Sequence, residues 1–236
     1  MALAALAGAT LGPAPAAASA PSPPSKQHCR YAPAPSRRSA RAPSRPHCAG
    51  SRLPTGALSL PSSAGRTLAA TLARVLATPC QNAQMTPEAG NLQLARAAVL
   101  CLINRERALH GEQPLVPDAR LEAAAESHTE DMIATDYFDH VSPSGSTPVD
   151  RVRAAGYIPN STVGYVIGEN LAWGTLSLST PQAIVSAWIA SPGHLANILE
   201  SHYIDTGIAI APQVPASLAD GASGATYAQE FGVIDH

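Results

Sequence analysis

The chain has 236 residues with a formal net charge of −2, and its charges are distributed unevenly along the sequence. Nine of the fifteen basic residues precede Cys80, whereas no acidic residue precedes Glu88. From Cys80 onward six basic residues accompany all 17 acidic ones, a balance of −11. That balance argues against nucleic-acid binding, which needs clustered Lys and Arg. A hydrophobic content of 45% is enough for one domain with a buried core.

Residues 1–20 are mostly Ala, Leu, Gly and Pro, and Ala18-Ser19-Ala20 fits the small-x-small pattern that precedes signal-peptide cleavage. However, no basic residue precedes the apolar run, and Pro13 and Pro15 interrupt it. The segment is therefore either an export signal or an Ala-rich tail, and we favour export. No other apolar run approaches the ~20 residues of a membrane span, so no membrane-spanning helix is predicted.

Residues 21–66 contain nine prolines among Ser, Arg and Ala. Such a composition buries too little apolar surface to offset the entropy of ordering, so we predict a disordered linker over residues 21–79. The pairs His28-Cys29 and His47-Cys48 match no zinc-ligand spacing. The arginines either contact anionic cell-wall polymer or lipid at the cell envelope, or are merely solvated.

The ordered domain is predicted over residues 80–236, beginning with two amphipathic helices. The first is capped by Thr86 or Asn91, ends at Gly111, and has an apolar face formed by Leu94, Ala97, Ala98, Cys101, Leu102 and Leu109. If the protein is exported, Cys80 and Cys101 form a disulfide; in the cytosol both would be small core residues. The second helix follows the N-cap Asp118, and its buried stripe comprises Leu121, Ala124, Ala125, His128, Met132 and Ile133. Helical spacing alone explains His128, so we interpret it as a hydrogen-bonded core histidine rather than a ligand.

Downstream of Phe138 the pattern alternates turns, short helices and extended segments. We predict a loop carrying His140 and Ser142, helices over 148–155 and from Thr180 to Ser191, and extended segments over 163–173, 207–211 and 226–232. Glu169 lies in the first extended segment between Ile167 and Leu171. A carboxylate in that setting either pairs with a partner or shifts its pKa.

The stretch Ser191-Pro192-Gly193-His194 predicts the end of one helix and the start of another. Pro192 cannot continue the preceding helix, and Ser191 can cap the next one. His194 then lies in the first turn, where the partial positive charge of the helix terminus disfavours the imidazolium form. His194 is therefore expected to be neutral at pH 7, either as a hydrogen-bonded surface histidine or as a donor of a lone pair to a metal or proton.

Four blocks in this order carry a resemblance to a known family: His140-Val141-Ser142-Pro143-x-Gly145, Gly168-Glu169-Asn170-Leu171-Ala172-Trp173-Gly174, Trp188-x-x-Ser191-Pro192-Gly193-His194-x-x-Asn197-Ile198-Leu199 and Gln229-x-Phe231-Gly232. Together they resemble the bacterial, SCP-like branch of the CAP superfamily of cysteine-rich secretory, antigen 5 and pathogenesis-related proteins. The resemblance covers about residues 80–236. It implies an α+β fold, a three-layer α-β-α sandwich with a central antiparallel sheet, and a secreted or cell-envelope location.

The resemblance also implies a cleft lined by two His and two Glu that can hold a divalent cation. His140 matches the first family histidine and Glu169 the glutamate of the Gly-Glu-Asn block. The second glutamate falls at Ser191 and the second histidine at Thr226, so two cleft groups are missing from their usual places. His194 belongs to the bacterial Ser-Pro-Gly-His variant and is expected to supply the missing imidazole.

These matches define the candidate site. The expected metal ligands, for zinc or another divalent cation, are His140, His194 and Glu169, which are also the candidate catalytic residues. The wider ligand cleft is expected to comprise His140, Ser142, Glu169, Asn170, His194 and Gln229.

Two classes of function follow, and a third remains open. The first is a secreted, non-enzymatic binding module for a lipid, glycan or peptide; the second is a metal-dependent, protease-like hydrolase using His140, His194 and Glu169. The third is a purely structural domain tethered to the envelope by its basic tail. We favour binding because the cleft lacks a complete acid/base set, no Gly-x-Ser-x-Gly motif is present, and Ser142 and Ser191 are explained as turn and cap residues.

Overall fold

The computed structural model describes residues 3–4 and 63–235. The predicted signal peptide, apart from a two-residue strand, and residues 21–62 of the predicted linker lie outside the described residues. The helices are α1 (Ser63–Ala77), α2 (Leu92–Leu109), α3 (Ala119–Ala134), α4 (Pro148–Ala154), α5 (Pro181–Ala190), α6 (Pro192–Ile198) and α7 (Ala216–Ala219). The strands are β1 (Leu3–Ala4), β2 (Val116–Pro117), β3 (Gly164–Thr175), β4 (Asp205–Ala211) and β5 (Gly224–Asp235).

The strands form one sheet in the order β1-β3-β5-β4-β2. The central strand β5 pairs antiparallel with β3 along 12 residues and with β4 on its other side. The central pairing is therefore antiparallel, as predicted, and the short strand β2 adds a parallel pair with β4 that makes the sheet mixed. A two-residue parallel edge strand is too short to leave a period-2 signal in the sequence.

Helices cover both faces of this sheet. Leu171, Ala209 and Ala228 pack on one face against α3, and α4 closes the same face through Val152. On the other face Tyr227 and Phe231 pack against side chains of α2, α5 and α6, among them Val99, Ile184, Trp188 and Ile198. The predicted α+β, three-layer α-β-α architecture is confirmed.

The helix α1 lies within the range that was predicted as linker. Leu68, Leu72, Val75 and Leu76 recur at helical spacing on it and are half-buried. The disulfide Cys80–Cys101 fastens the segment after α1 to α2 and has formed as predicted for an exported chain. A helix therefore occupies residues 63–77 of that range, where the sequence carries an apolar stripe that the Pro-rich residues before it lack.

The buried face of α2 matches the prediction in part, since Ala98 is buried as predicted. Leu94 and Leu109 are 51% and 63% exposed, whereas Ala95, Val99 and Ile103 are fully buried. Since α2 carries apolar residues on several sides, periodicity alone does not choose the contact face. The helix α3, by contrast, begins after Asp118, whose carboxylate accepts a hydrogen bond from the Arg120 N–H, as predicted.

Candidate ligand-binding cleft

Glu169 forms the polar centre of the cleft. It lies on β3, on the face covered by α3, and its side chain is only 2% exposed. Its Oε1 is 2.6 Å from His140 Nδ1 and its Oε2 is 2.7 Å from Arg151 Nη2. Both carboxylate oxygens of Glu169 are thus engaged by neighbouring side chains.

The loop that carries His140 is fixed by the guanidinium of Arg151. Arg151, on α4, donates hydrogen bonds to the carbonyl oxygens of His140, at 3.0 Å, and Ser146, at 3.1 Å. Ser142 and Gly145 close a turn within this loop, and Gly145 has a φ of 89°, which favours glycine. His140 is thereby held with 43% of its side chain exposed.

The electrostatics follow from these contacts. Burial alone would raise the pKa of Glu169, but the hydrogen bond from His140 and the charge of Arg151 outweigh it and lower the pKa to about 2. Burial alone would lower the pKa of His140, but its hydrogen bond to Glu169 and the carboxylate charges of Glu169 and Asp139 raise it. Glu169 is therefore ionised at neutral pH, and its charge favours the protonated form of His140.

His194 approaches the same strand from the other side. Its helix, α6, is fastened to β3 by Asn197, which donates to the backbone oxygen of Glu169 at 3.1 Å and to Asn170 Oδ1 at 2.9 Å. Asn170 in turn donates to the carbonyl oxygen of His194. The His194 Nδ1 is 2.9 Å from Ser191 Oγ. The Ser191 side chain therefore holds the imidazole instead of capping a backbone N–H.

Burial lowers the pKa of His194 to about 4, with a smaller contribution from the charge of His140. His194 is thus neutral at pH 7, as predicted, although burial is sufficient to explain it. Both imidazoles use Nδ1 for an internal contact, at Glu169 for His140 and at Ser191 for His194. Among the described residues, neither Nε2 has a hydrogen-bond partner, so this nitrogen of each ring is available to a ligand.

Four of the six predicted cleft residues are buried. Ser142 is turned into its own loop, where its hydroxyl donates to Ser146 O. Asn170 fastens α6 to β3. Gln229 is fully buried on the face of the sheet away from Glu169, where its side-chain amide donates a hydrogen bond to Thr206 Oγ1. With Glu169 also enclosed, His140 and His194 are the two predicted residues that have partly exposed side chains.

His128 is a core residue, as its helical spacing predicts. It is fully buried, its Nε2 is 2.9 Å from the Asp139 carbonyl oxygen, and its Nδ1 is 3.3 Å from the Tyr137 hydroxyl. Burial lowers its pKa. It lies 3.9 Å from Glu169 Oε2 and so packs beneath the cleft rather than lining it.

The predicted three-ligand metal set does not fit this arrangement. Glu169 is committed to His140 and to a cationic guanidinium, which disfavours a further cation at the same carboxylate. Among residues 63–235, no three His, Cys, Asp or Glu side chains are grouped to hold a metal ion. The metal prediction stays a prediction, and any such site would depend on the two imidazoles.

Sequence reasoning missed Arg151 and Glu230. Glu230 is directly opposite Glu169 on β5 and is fully buried. Burial raises the pKa of its carboxyl well above the usual range, and the negative charge of Glu169 adds to the effect. A carboxylate inside the apolar run 225–233 was a signal of an unusual environment. Arg151 gave no comparable signal, because an arginine on a short helix is ordinarily solvated.

Comparison with known proteins supports the resemblance. A profile of the CAP family, described as the cysteine-rich secretory protein family, matches residues 100–215. The chain is 36% identical over 111 residues to the uncharacterized protein YkwD and 31% identical over 112 residues to the uncharacterized membrane protein YlbC, both of Bacillus subtilis. These matches cover 47% and 48% of this chain but only 40% and 30% of the relatives.

Two solved structures are also similar. An extracellular protein with an SCP domain from Bacillus anthracis shares 27% identity at a TM-score of 0.45, over 65% of this chain and 43% of that one. An outer surface protein of Borrelia burgdorferi shares 19% identity at a TM-score of 0.45, over 57% of this chain and 88% of that one. Within the described residues no helix is both long and apolar enough to cross a bilayer. On the family match and the motifs placed above, residues 100–215 carry a domain of the CAP superfamily.

Proposed function

We propose that this CAP domain is a secreted or envelope-associated, non-enzymatic binding module that holds its ligand between His140 and His194. The observation that carries the proposal is that the carboxylate of Glu169 is hydrogen-bonded entirely within the protein. Its two oxygens are bound by His140 and Arg151, so imidazole nitrogens are available for hydrogen bonding whereas the Glu169 carboxylate is not available as a base. Such a site suits recognition better than hydrolysis.

The surroundings of the two imidazoles support an organic ligand. Val141, next to His140, is 44% exposed, and Pro143 and Pro192 are also exposed near the two histidines. Apolar surface beside a few polar groups is typical of sites for small organic molecules. We therefore propose a lipid, glycan or peptide that offers a hydroxyl, carbonyl or carboxylate to the Nε2 atoms.

Export is supported by the disulfide between Cys80 and Cys101, because such bonds persist in oxidising compartments and are rare in the cytosol. Seven basic residues within 21–62, with no acidic residue among them, favour contact with anionic polymers or lipids of the envelope. The basic tail is therefore proposed to contact the envelope.

Native mass spectrometry of the full chain purified from culture medium tests the binding proposal. The wild type is expected to retain a small organic ligand, which the double variant His140→Ala/His194→Ala should lose. His202→Ala is the matched control, because His202 is exposed and lies on the loop after α6. Equal retention by the double variant and the control would place the ligand elsewhere.

A further inference from the structure

A pair of buried carboxyl groups lies beneath the cleft. The β3–β5 register places Glu169 opposite Glu230, so both side chains project to the face covered by α3. Counted over the whole residue, Glu230 has no exposed surface and Glu169 is 6% exposed. On the far side of Glu230, β4 presents Gly207, where any side chain would overlap the backbone of Leu121 and Glu122 in α3. The helix therefore packs directly on the sheet beside Glu230 and excludes water there.

The hydrogen-bond donors around this pair are distributed unequally. One carboxylate oxygen of Glu169 accepts a hydrogen bond from His140, and the other accepts one from Arg151. Within the described residues, no protein donor reaches either oxygen of Glu230. The carboxyl of Glu169 is its cross-strand neighbour, and two carboxyl groups so placed can hydrogen-bond only when one of them carries a proton.

The groups that face the pair decide where the proton resides. Arg151 from α4 and His140 from its loop contact Glu169 directly, and His128 from α3 lies 3.9 Å from the same carboxylate. These three groups favour the negative charge on Glu169. Because neighbouring buried carboxylates do not both ionise, the proton belongs on Glu230.

We propose that Glu230 is a positioning residue of the cleft, a neutral carboxylic acid that donates a hydrogen bond to Glu169 and so holds it as a single, oriented negative charge beneath His140. Glu169 then fixes the Nδ1–H form of His140 and turns its Nε2 toward the ligand. This inference rests on the proposed function only in treating the His140 surface as the ligand site.

Carboxyl ¹³C NMR and a histidine pH titration of the ligand-free full chain test the inference. The wild type at pH 7 should show one glutamate carboxyl at the protonated position. The signal should be absent in Glu230→Gln and present in Glu88→Gln, a control that removes an exposed acid elsewhere. Absence of a protonated glutamate in the wild type would overturn the proposal, whether or not the variants fold.

The pKa of His140 provides the second readout. Glu230→Gln keeps a neutral hydrogen-bond donor and should leave this pKa unchanged, whereas Glu230→Leu removes the donor and should raise it because Glu169 becomes more basic. If Glu230 were instead ionised, both variants would remove a negative charge and lower the pKa of His140. An identical pKa in wild type and both variants would also contradict a positioning role. Since no ligand is present, failure of the binding proposal would leave this result unaffected.

Discussion

At the scale of single residues, Arg151 connects the loop of the cleft to its buried carboxylate. Its side chain is 6% exposed and contacts Glu169 together with the carbonyl oxygens of His140 and Ser146. A cation in this position supports both the charge of Glu169 and the backbone on which His140 is displayed. Loss of Arg151 would leave an anion buried with one fewer cationic partner.

We therefore predict that Arg151→Met lowers the free energy of unfolding by about 3–5 kcal/mol, the range found when one partner of a buried ion pair is removed. Urea denaturation measures the change. Arg153→Met is the matched control on the same helix, because Arg153 is half exposed and 3.7 Å from the exposed Asp150, and should cost at most about 1 kcal/mol. Equal losses for the two variants would contradict a structural role for the Arg151–Glu169 pair.

Glu169 gives a second prediction, on acid stability. Because its pKa is lowered to about 2 from an ordinary 4.5, its contribution is fully present above pH 4.5 and is lost as the pH falls through 2. Glu169→Gln should therefore show a shallower loss of unfolding free energy across this interval than the wild type. Urea denaturation at a series of pH values provides the measurement. Parallel acid limbs in the two proteins would show that Glu169 is not selectively stabilised in its ionised form.

The contrast between Glu169 and Glu230 shows how far sequence reasoning reaches at this scale. The blocks around His140, Glu169 and His194 were identified as a site through the resemblance to the CAP superfamily, and their turns, glycines and proline predicted only the local backbone. The partner of Glu169 was not identified, since Glu230 is 61 residues away and the contact depends on the register between β3 and β5. Register follows from the packing of both sheet faces, which a single sequence does not display.

At the scale of elements, the segment joining α1 to α2 is held by the disulfide, by hydrogen bonds and by packing of Met85 against the core. The side chains of α1 are at most half-buried, and the Cys80–Cys101 bridge fastens the following loop to α2. The same loop also bonds to α5, through Ala83 O and the backbone N–H of Gln182. The bridge is therefore a main constraint on how the chain enters the domain.

Replacing both Cys80 and Cys101 by Ala should lower stability by about 3 kcal/mol, as expected for a loop of this length. The sequence separation is 21 residues. Thermal unfolding in non-reducing buffer measures the difference. With dithiothreitol present the wild type should fall to the level of the variant, and an unchanged midpoint would show that the loop is held by its other contacts.

The same element illustrates a limit of periodicity. The stripe predicted for α2 fails at Leu94 and Leu109, which are exposed, whereas the stripe of α3 through Leu121, Ala125 and His128 is confirmed. The difference is compositional. The solvent side of α3 is acidic, with Glu122, Glu126 and Glu130. The opposite, apolar face of the helix is therefore identifiable as the buried one. In α2, alanines and leucines occur on several sides, so the packing of the folded protein determines which side is buried.

At the scale of the complete fold, the three layers place the cleft where β3 meets helices from both sides. The layer of α3 and α4 supplies Arg151 and supports the His140 loop, and the layer of α2, α5 and α6 supplies His194. The two layers are joined at Glu169, whose side chain contacts His140 and whose backbone oxygen accepts a hydrogen bond from Asn197 on α6. The fold thus brings together residues 54 positions apart in a sequence that marks each of them only locally.

The proposed function requires a ligand that contacts the Nε2 atoms of His140 and His194. Imidazole NMR of the full chain, titrated separately with lipid and with peptidoglycan fragments of a bacterial envelope, examines this contact at the atoms concerned. One fraction should shift the signals of His140 and His194 in a saturable manner while the exposed His110 and His202 stay unchanged. Saturable binding that moves only His110 or His202, or no shift of the two cleft histidines with either fraction, would contradict the proposed contact.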